Sequence, residues 1–394
     1  MPVSRRVAEL MKGSSWIRRM FEEGARLKAA HGAENVFDFS LGNPVLEPPP
    51  EVVEAFRAAL DEPAAGTHRY MPNAGYPKVR EAVAEFLTRD YGVPFAADRL
   101  LMCTGAGGGL NVVLKSILDP GDEVLVVSPW FPEYQFYVDN HGGRMVAVPA
   151  GPGFLPDPAA LEAAAGPRTA AVLLNTPNNP TGVVYGQETL DAVGEALRRA
   201  SARTGRVIHL VSDEPYRRIL FDGRRPASVF RAYGPTILVT SHSKDLAIPG
   251  ERIGVVAIGP DCPDGAALAG AFTFANRVLG FVNAPALQQR AVARLQGLTV
   301  DPRIYERKRD LLCGALQAAG YEVVRPGGAF YLFPRAPGGD DLAFVNRLLR
   351  ERILVVPGSG FGAPGHFRVA YCVEDREIEG AIPGFARCLR DPGA

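Results

Sequence analysis

Lysine is scarce in this 394-residue chain: of 43 basic residues only six are lysines, Lys12, Lys28, Lys78, Lys115, Lys244 and Lys308. The 43 basic residues are matched by 43 acidic ones, which leaves no bulk attraction to nucleic acid or to an anionic membrane. No stretch approaches the ~18 apolar residues of a membrane span. Met1 to Phe21 carries charges throughout and has no apolar core of a secretory signal, which predicts a cytoplasmic protein. The five cysteines, Cys103, Cys262, Cys313, Cys372 and Cys388, are scattered, odd in number and form no C-x-x-C, so free buried thiols are expected rather than a disulfide framework. The six histidines form no closely spaced pair, and no metal site is suggested.

What is present is an ordinary globular composition whose length exceeds the ~250–300 residues at which one core stops growing, so two domains are expected. Short apolar, β-branched runs recur at Leu100–Cys103, Glu123–Ser128, Arg144–Val148, Ala171–Asn175, Val207–Ser212, Ile237–Ser241 and Ile253–Ile258. Most lack polar alternation, the pattern of strands covered on both faces. Helical patterns, among them Gly109–Leu118 and Glu188–Arg199, alternate with them. This predicts an α/β fold: a large domain over 45–285 with a mostly parallel seven-stranded sheet flanked by helices. Beyond it the pattern changes to a long helix over Pro302–Gly320, strands over Tyr321–Arg325 and Ala329–Pro334, a helix over Leu342–Glu351 and strands near Ile353–Val356 and His366–Ala370. That predicts a smaller α+β domain over 286–394, joined by an N-terminal segment over 1–44, with the proline-rich Pro44–Pro50 as linker.

Ligands of open α/β sheets bind beyond the C-terminal strand ends, so the residues after each strand are the ones to inspect. Lys244 is the one lysine placed so, in Ser241-His242-Ser243-Lys244; the others lie in the polar N-terminal segment or in helical patterns, where solvated amines are expected. A desolvated amine near cations loses its proton readily and becomes a nucleophile toward an aldehyde. Arg252, eight residues on, offers a planar cationic fork for a phosphate, or is a surface arginine. Thr104-Gly105-Ala106-Gly107-Gly108-Gly109 leads from a strand into a helix and fits an anion cradle or a plain tight turn. It lacks the lysine of a P-loop and the spacing of a dinucleotide-binding G-x-G-x-x-G, which counts against a nicotinamide-dependent oxidoreductase. Asp213 ends an apolar strand, where a carboxylate pairs with a protonated pyridine nitrogen or caps a helix. Asn179 lies in turn chemistry, Tyr216 follows Asp213 by three residues, and Phe131 stands in Pro129-Trp130-Phe131-Pro132, each open to a ligand or a structural role.

Taken together, these residues resemble the fold-type I pyridoxal-phosphate enzymes, specifically the class I/II aminotransferases related to aspartate aminotransferase. The resemblance runs from Leu41-Gly42-Asn43-Pro44 to Phe367-Arg368-Val369 and rests on Asn179-Pro180-Thr181-Gly182, Asp213-Glu214-Pro215-Tyr216 and Ser241-His242-Ser243-Lys244 with Arg252. It implies pyridoxal 5′-phosphate as cofactor, Lys244 as the lysine that forms an imine with it, Asp213 at the pyridine nitrogen, and Asn179 and Tyr216 at the phenolate. It also implies Ser241, Arg252 and the backbone of Gly105, Ala106 and Gly107 at the phosphate, Phe131 stacked on the ring, and Arg368 with Gly42 and Asn179 at the substrate α-carboxylate. Tyr70, in Tyr70-Met71-Pro72-Asn73-Ala74-Gly75, matches the tyrosine that reaches the neighbouring subunit's phosphate, which implies a homodimer with shared sites. The implied reaction is a ping-pong transfer of an amino group from an L-amino acid to a 2-keto acid, with Lys244 moving the Cα proton. Arg277 falls close to a second arginine of dicarboxylate-specific relatives, one residue out of register, so it is either a selector of aspartate or glutamate or a structural arginine. Glu251 and the small residues of the glycine run depart from many relatives. A C–S β-lyase or a decarboxylase on the same cofactor is the nearest rival.

Overall fold

The computed structural model describes residues 3–13, 16–62, 66 and 68–390; of the N-terminal segment, residues 1, 2, 14 and 15 and the side chains at 12, 16–19 and 21, Lys12 among them, lie outside the described residues. A short strand β1 (Phe37–Asp38) precedes the seven strands of the central sheet. These are β2 (Leu100–Cys103), β3 (Glu123–Ser128), β4 (Arg144–Pro149), β5 (Thr169–Asn175), β6 (His209–Asp213), β7 (Thr236–Ser241) and β8 (Gly254–Ile258). Their spatial order is β2-β8-β7-β6-β5-β3-β4. Every neighbouring pair is parallel except the two that involve β8. The α/β sheet expected from the sequence is therefore present.

Strand alternation divides the apolar runs between two cores, one on each face. Met102, Leu125, Leu174, Leu210 and Leu238 pack with Leu190, Val193 and Leu197 of the helix Gln187–Thr204. Cys103, Val126, Leu173, Val211 and Val239 pack on the opposite face with Leu110, Val113 and Leu114 of the helix Gly105–Ile117. With both faces covered, β5 and β8 are buried along their whole length.

A third core gathers both ends of the chain. Met20 and Phe39 pack with Leu312 and Leu316 of the helix Pro302–Ala319, Phe344 of Asp341–Arg350, and Ile378 and Phe385 of Asp375–Arg390. Here β9 (Tyr331–Leu332), β11 (Val356–Pro357) and β12 (Phe367–Ala370) form a small antiparallel sheet, and β1 pairs in parallel with β10 (Ile353–Leu354).

Some expected boundaries moved. Tyr321–Arg325 forms no strand, because after the left-handed Gly320 cap Tyr321 turns inward and its hydroxyl donates to the Phe385 carbonyl at 2.9 Å. The helix expected from Gly109 starts at Gly105, and β6 starts at His209, leaving Val207 exposed. Lys308 is buried rather than solvated, and donates to Asp375 and to the Val373 carbonyl, each at 2.6 Å. The five cysteines are free and buried. Among the described residues no helix is long and apolar enough to cross a membrane.

Candidate active site

The C-terminal ends of β2, β3, β5, β6 and β7 lie along one edge of the sheet, and antiparallel β8 brings its starting end to the same edge: Gly254 pairs with both Cys103 and Ser241. The loops from this edge, together with Gly42, Tyr331 and Arg368 from the chain-end unit, line a cleft of about 330 Å³. That volume suits a small organic molecule.

Asp213 is the last residue of β6, and no helix begins there, so it caps none. Its Oδ2 accepts a 2.6 Å hydrogen bond from the Tyr134 hydroxyl, while its buried Oδ1 has no partner. Burial pushes the carboxyl up to about 7, a rise the Tyr134 bond restrains and the neighbouring Glu214 charge reinforces.

The loop after β5 is held by Asn175, whose Oδ1 accepts from the Asn179 amide at 2.7 Å and whose Nδ2 donates to the Asp213 carbonyl at 2.9 Å. This links the two strand ends and sets Asn179 in the cleft wall. Tyr216 shares a 2.7 Å hydroxyl pair with Tyr331 and packs edge-on to it. Phe131 lines the cleft edge-on to Tyr134.

Lys244 follows β7, and its Nζ donates to the Gly42 carbonyl at 2.7 Å. Burial lowers this amine from an ordinary 10.5 to about 8; the Arg252 and Arg368 cations add to the fall and the Cys372 thiol opposes it. Gly42 has no room for a side chain, since a Cβ there would stand 2.1 Å from the Tyr331 hydroxyl.

At one end of the cleft the amides that open the helix Gly105–Ile117 meet Arg252. Gly105 has φ +72°, and a Cβ on it would stand 2.5 Å from Arg252 Nη2, so only glycine keeps this corner open. Ser241, Ser243, Ala106 and Gly107 line the same cleft. Arg252 Nη1 donates to the Pro249 carbonyl at 2.8 Å. A helix N-terminus beside a guanidinium is an anion site. The neighbouring Glu251 accepts from Gln288 at 2.9 Å, which gives the unusual acid its partner.

Arg368, on β12, is buried between the Tyr331 and Phe361 rings, 5.0 and 4.8 Å from their centroids. It donates to Asn179 Oδ1 at 3.1 Å and to the Ser40 carbonyl at 2.6 Å, while its Nε has no partner.

The cleft thus brings together Gly42, Ala106, Gly107, Phe131, Asn179, Asp213, Tyr216, Ser241, Lys244, Arg252 and Arg368. Gly105 bounds it through its contact with Arg252. Two predicted residues are not brought in by this one chain: Tyr70 is 89 % exposed, and Arg277 is exposed on the helix Gly265–Val278. Sequence reasoning missed Tyr134, Tyr331, Glu133 and Tyr137, which also line the cleft. The strand-end rule applied a few residues beyond β3 would have flagged Glu133, Tyr134 and Tyr137; Tyr331 lies in the other unit and carried no such signal.

The family model "Aminotransferase class I and II" matches residues 34–384. The chain is 36% identical to the aspartate/prephenate aminotransferase of Thermus thermophilus, covering 88% of this chain and 89% of that one. It is 30% identical to the aspartate aminotransferase of Geobacillus stearothermophilus, over 99% of both. Among solved structures, an aminotransferase from Eubacterium rectale superposes with a TM-score of 0.96 at 38% identity over 100% of both chains. The Thermus thermophilus aspartate aminotransferase with maleate superposes with a TM-score of 0.86 at 33% identity, over 98% of this chain and 99% of that one. This protein belongs to the class I and II aminotransferases, and is a transaminase.

Proposed function

We propose that this aminotransferase uses pyridoxal 5′-phosphate held at Lys244 to exchange an amino group between an L-amino acid and a 2-keto acid. One observation carries the reading: a single cleft joins an amine lowered to about 8, a buried carboxylate with an unpartnered oxygen, and a glycine corner against a guanidinium. The desolvated amine and the bare carboxylate oxygen are costly unless a ligand uses them, and a phosphorylated pyridine aldehyde suits all three features. The residues present therefore fit the cofactor that the family implies.

In this reading Lys244 holds the aldehyde carbon, Asp213 Oδ1 the pyridine nitrogen, and Asn179 and Tyr216 the phenolate oxygen. Arg252, Ser241 and the backbone of Gly105, Ala106 and Gly107 hold the phosphate, and Phe131 covers the ring. When bound, the cofactor supplies a carbonyl carbon for the substrate amine and an electron-poor ring that takes up negative charge. Asp213 keeps the pyridine nitrogen protonated. Arg368 exchanges its present acceptors for the substrate α-carboxylate, which orients the Cα–H bond. Lys244 Nζ, freed by the incoming amine and neutral above about pH 8, would take the Cα proton and return it to the former aldehyde carbon on the far side of the substrate nitrogen.

We further propose that the chain works as a cytoplasmic homodimer, with the exposed Tyr70 reaching the partner's phosphate site, and that 45–285 and 286–394, the latter with 1–44, are its large and small domains. Relatives are named for aspartate. An acidic donor here would need Arg277 to arrive from the partner, because it lies outside this chain's own cleft. The test is borohydride reduction of cofactor-saturated protein followed by digestion: the tag is expected on the peptide that contains Lys244, and a tag elsewhere, or none, overturns the reading.

A further inference from the structure

The cleft contains one acid that this chemistry does not use. Glu133 begins the short helix Glu133–Asp139, directly after the Trp130-Phe131-Pro132 loop that follows β3. It lines the cleft, and its Oε2 is shielded from solvent without a hydrogen-bond partner. It shares the cleft lining with Arg368, Tyr331 and Tyr137, and its charge acts on all three. Burial raises its pKa above the ordinary carboxyl value, and a hydrogen bond from its own backbone N–H and, less, the Arg368 charge work against that rise.

The lining cations are Lys244, Arg252 and Arg368. Each already has work at the imine, the phosphate or the α-carboxylate. A second carboxylate on the donor would find no free cation of this chain in the cleft, and would face Glu133. A carboxylate brought against another in a dry site is strongly disfavoured, whereas a hydrogen-bond donor supplies what an unpartnered oxygen lacks.

We infer that Glu133 is a specificity-determining residue that reads the donor side chain, favouring amide, hydroxyl or ammonium groups over a second carboxylate. The inference rests on the assignment of Arg368 to the α-carboxylate. It implies that this chain differs in donor preference from its relatives named for aspartate.

The experiment compares glutamine with glutamate, and asparagine with aspartate, as donors to the cofactor-loaded full-length enzyme. These pairs share a shape and differ in one group. In the wild type kcat/KM is expected to favour the amides by at least tenfold. Glu133→Gln should shrink or reverse that ratio by tenfold or more, with the gain for the acids mainly in KM, and Glu133→Asp, which keeps the charge, should retain the wild-type preference. Maleate, a dicarboxylate with no amino group to transfer, should bind Glu133→Gln at least tenfold more tightly by calorimetry, with acetate binding unchanged. Equal losses for acid and amide, or an unchanged ratio with unchanged maleate affinity, would overturn the inference while leaving the transaminase reading intact. If no amino acid alters the wild type's visible absorption, the cofactor assignment fails and this inference fails with it.

Discussion

Asp213 and Glu214 are neighbours in the chain, both carboxylates and both nearly fully buried, yet their surroundings are opposite. Strand alternation at the end of β6 sends them to different sides. Glu214 is saturated: Oε1 accepts from Ser212 at 2.6 Å, and Oε2 accepts from Tyr91 at 2.9 Å and from Arg217 at 3.0 Å. Arg217 goes on to Asp90 at 2.6 Å and lies 3.6 Å over the Tyr91 ring. Asp213 has Tyr134 on one oxygen and nothing on the other. The closed network fastens the loop after β6 to the helix Pro77–Tyr91, while the open one leaves an acceptor for a ligand. Complete satisfaction marks a structural acid, and a withheld bond marks a working one.

That contrast can be broken by substitution. The largest effect is expected at the amine: Lys244→Ala should slow single-turnover transfer by about 10²–10⁴-fold, read by stopped-flow absorbance. Next, Glu214→Ala leaves the buried Tyr91 and Ser212 hydroxyls without their acceptor and takes one of the two carboxylates that Arg217 pairs with, which at about 1–3 kcal/mol for each orphaned group should cost roughly 3–5 kcal/mol of unfolding free energy. Denaturant titration would read this, with kcat per folded molecule within about twofold of wild type. Asp213→Asn should do the reverse, lowering kcat by about 10²-fold or more without loss of stability. Its effect on pH dependence also has a definite sign. A folded-state carboxyl raised to about 7 means that the cofactor-free folded protein holds a proton the unfolded chain has already lost, so this group's contribution is full below about pH 4 and fades as pH rises through about 7. Asparagine should flatten that part of the stability profile. The smallest change is Tyr134→Phe, which removes one restraint on the Asp213 proton and should cost about 0.5–1.5 kcal/mol in transition-state stabilisation, or up to about tenfold in kcat. Should Tyr134→Phe prove as damaging as Asp213→Asn, the phenol acts on the substrate itself rather than through the carboxylate.

The amine has its own pH test. In cofactor-free protein, capture of an aldehyde by Lys244, trapped with borohydride, should rise with a midpoint near pH 8 rather than near 10.5, because burial releases the proton early. A midpoint near 10.5 would mean that the site is wet.

Much of the site was legible because its local part is written in short segments. Apolar strands ending in Asp213 and Ser241, a glycine run opening a helix, and Lys244 eight residues before Arg252 each declare their chemistry within a few positions. The partners were not legible. Tyr134 meets Asp213 across 79 positions, Tyr216 meets Tyr331 across 115 and Lys244 meets Gly42 across 202. Tyr321 and its neighbours, strand-like by composition, had no strand to pair with once folded.

The amino-acid order alone determined the strand and helix periods, and with them the sheet, the edge where loops collect and the residue types gathered there, since periodicity and side-chain chemistry are local properties. Only the tertiary structure decided which of those polar atoms were satisfied and which left open, because a hydrogen bond depends on where distant segments meet. Burial then set the protonation of Lys244 and Asp213, which no spacing in the chain encodes.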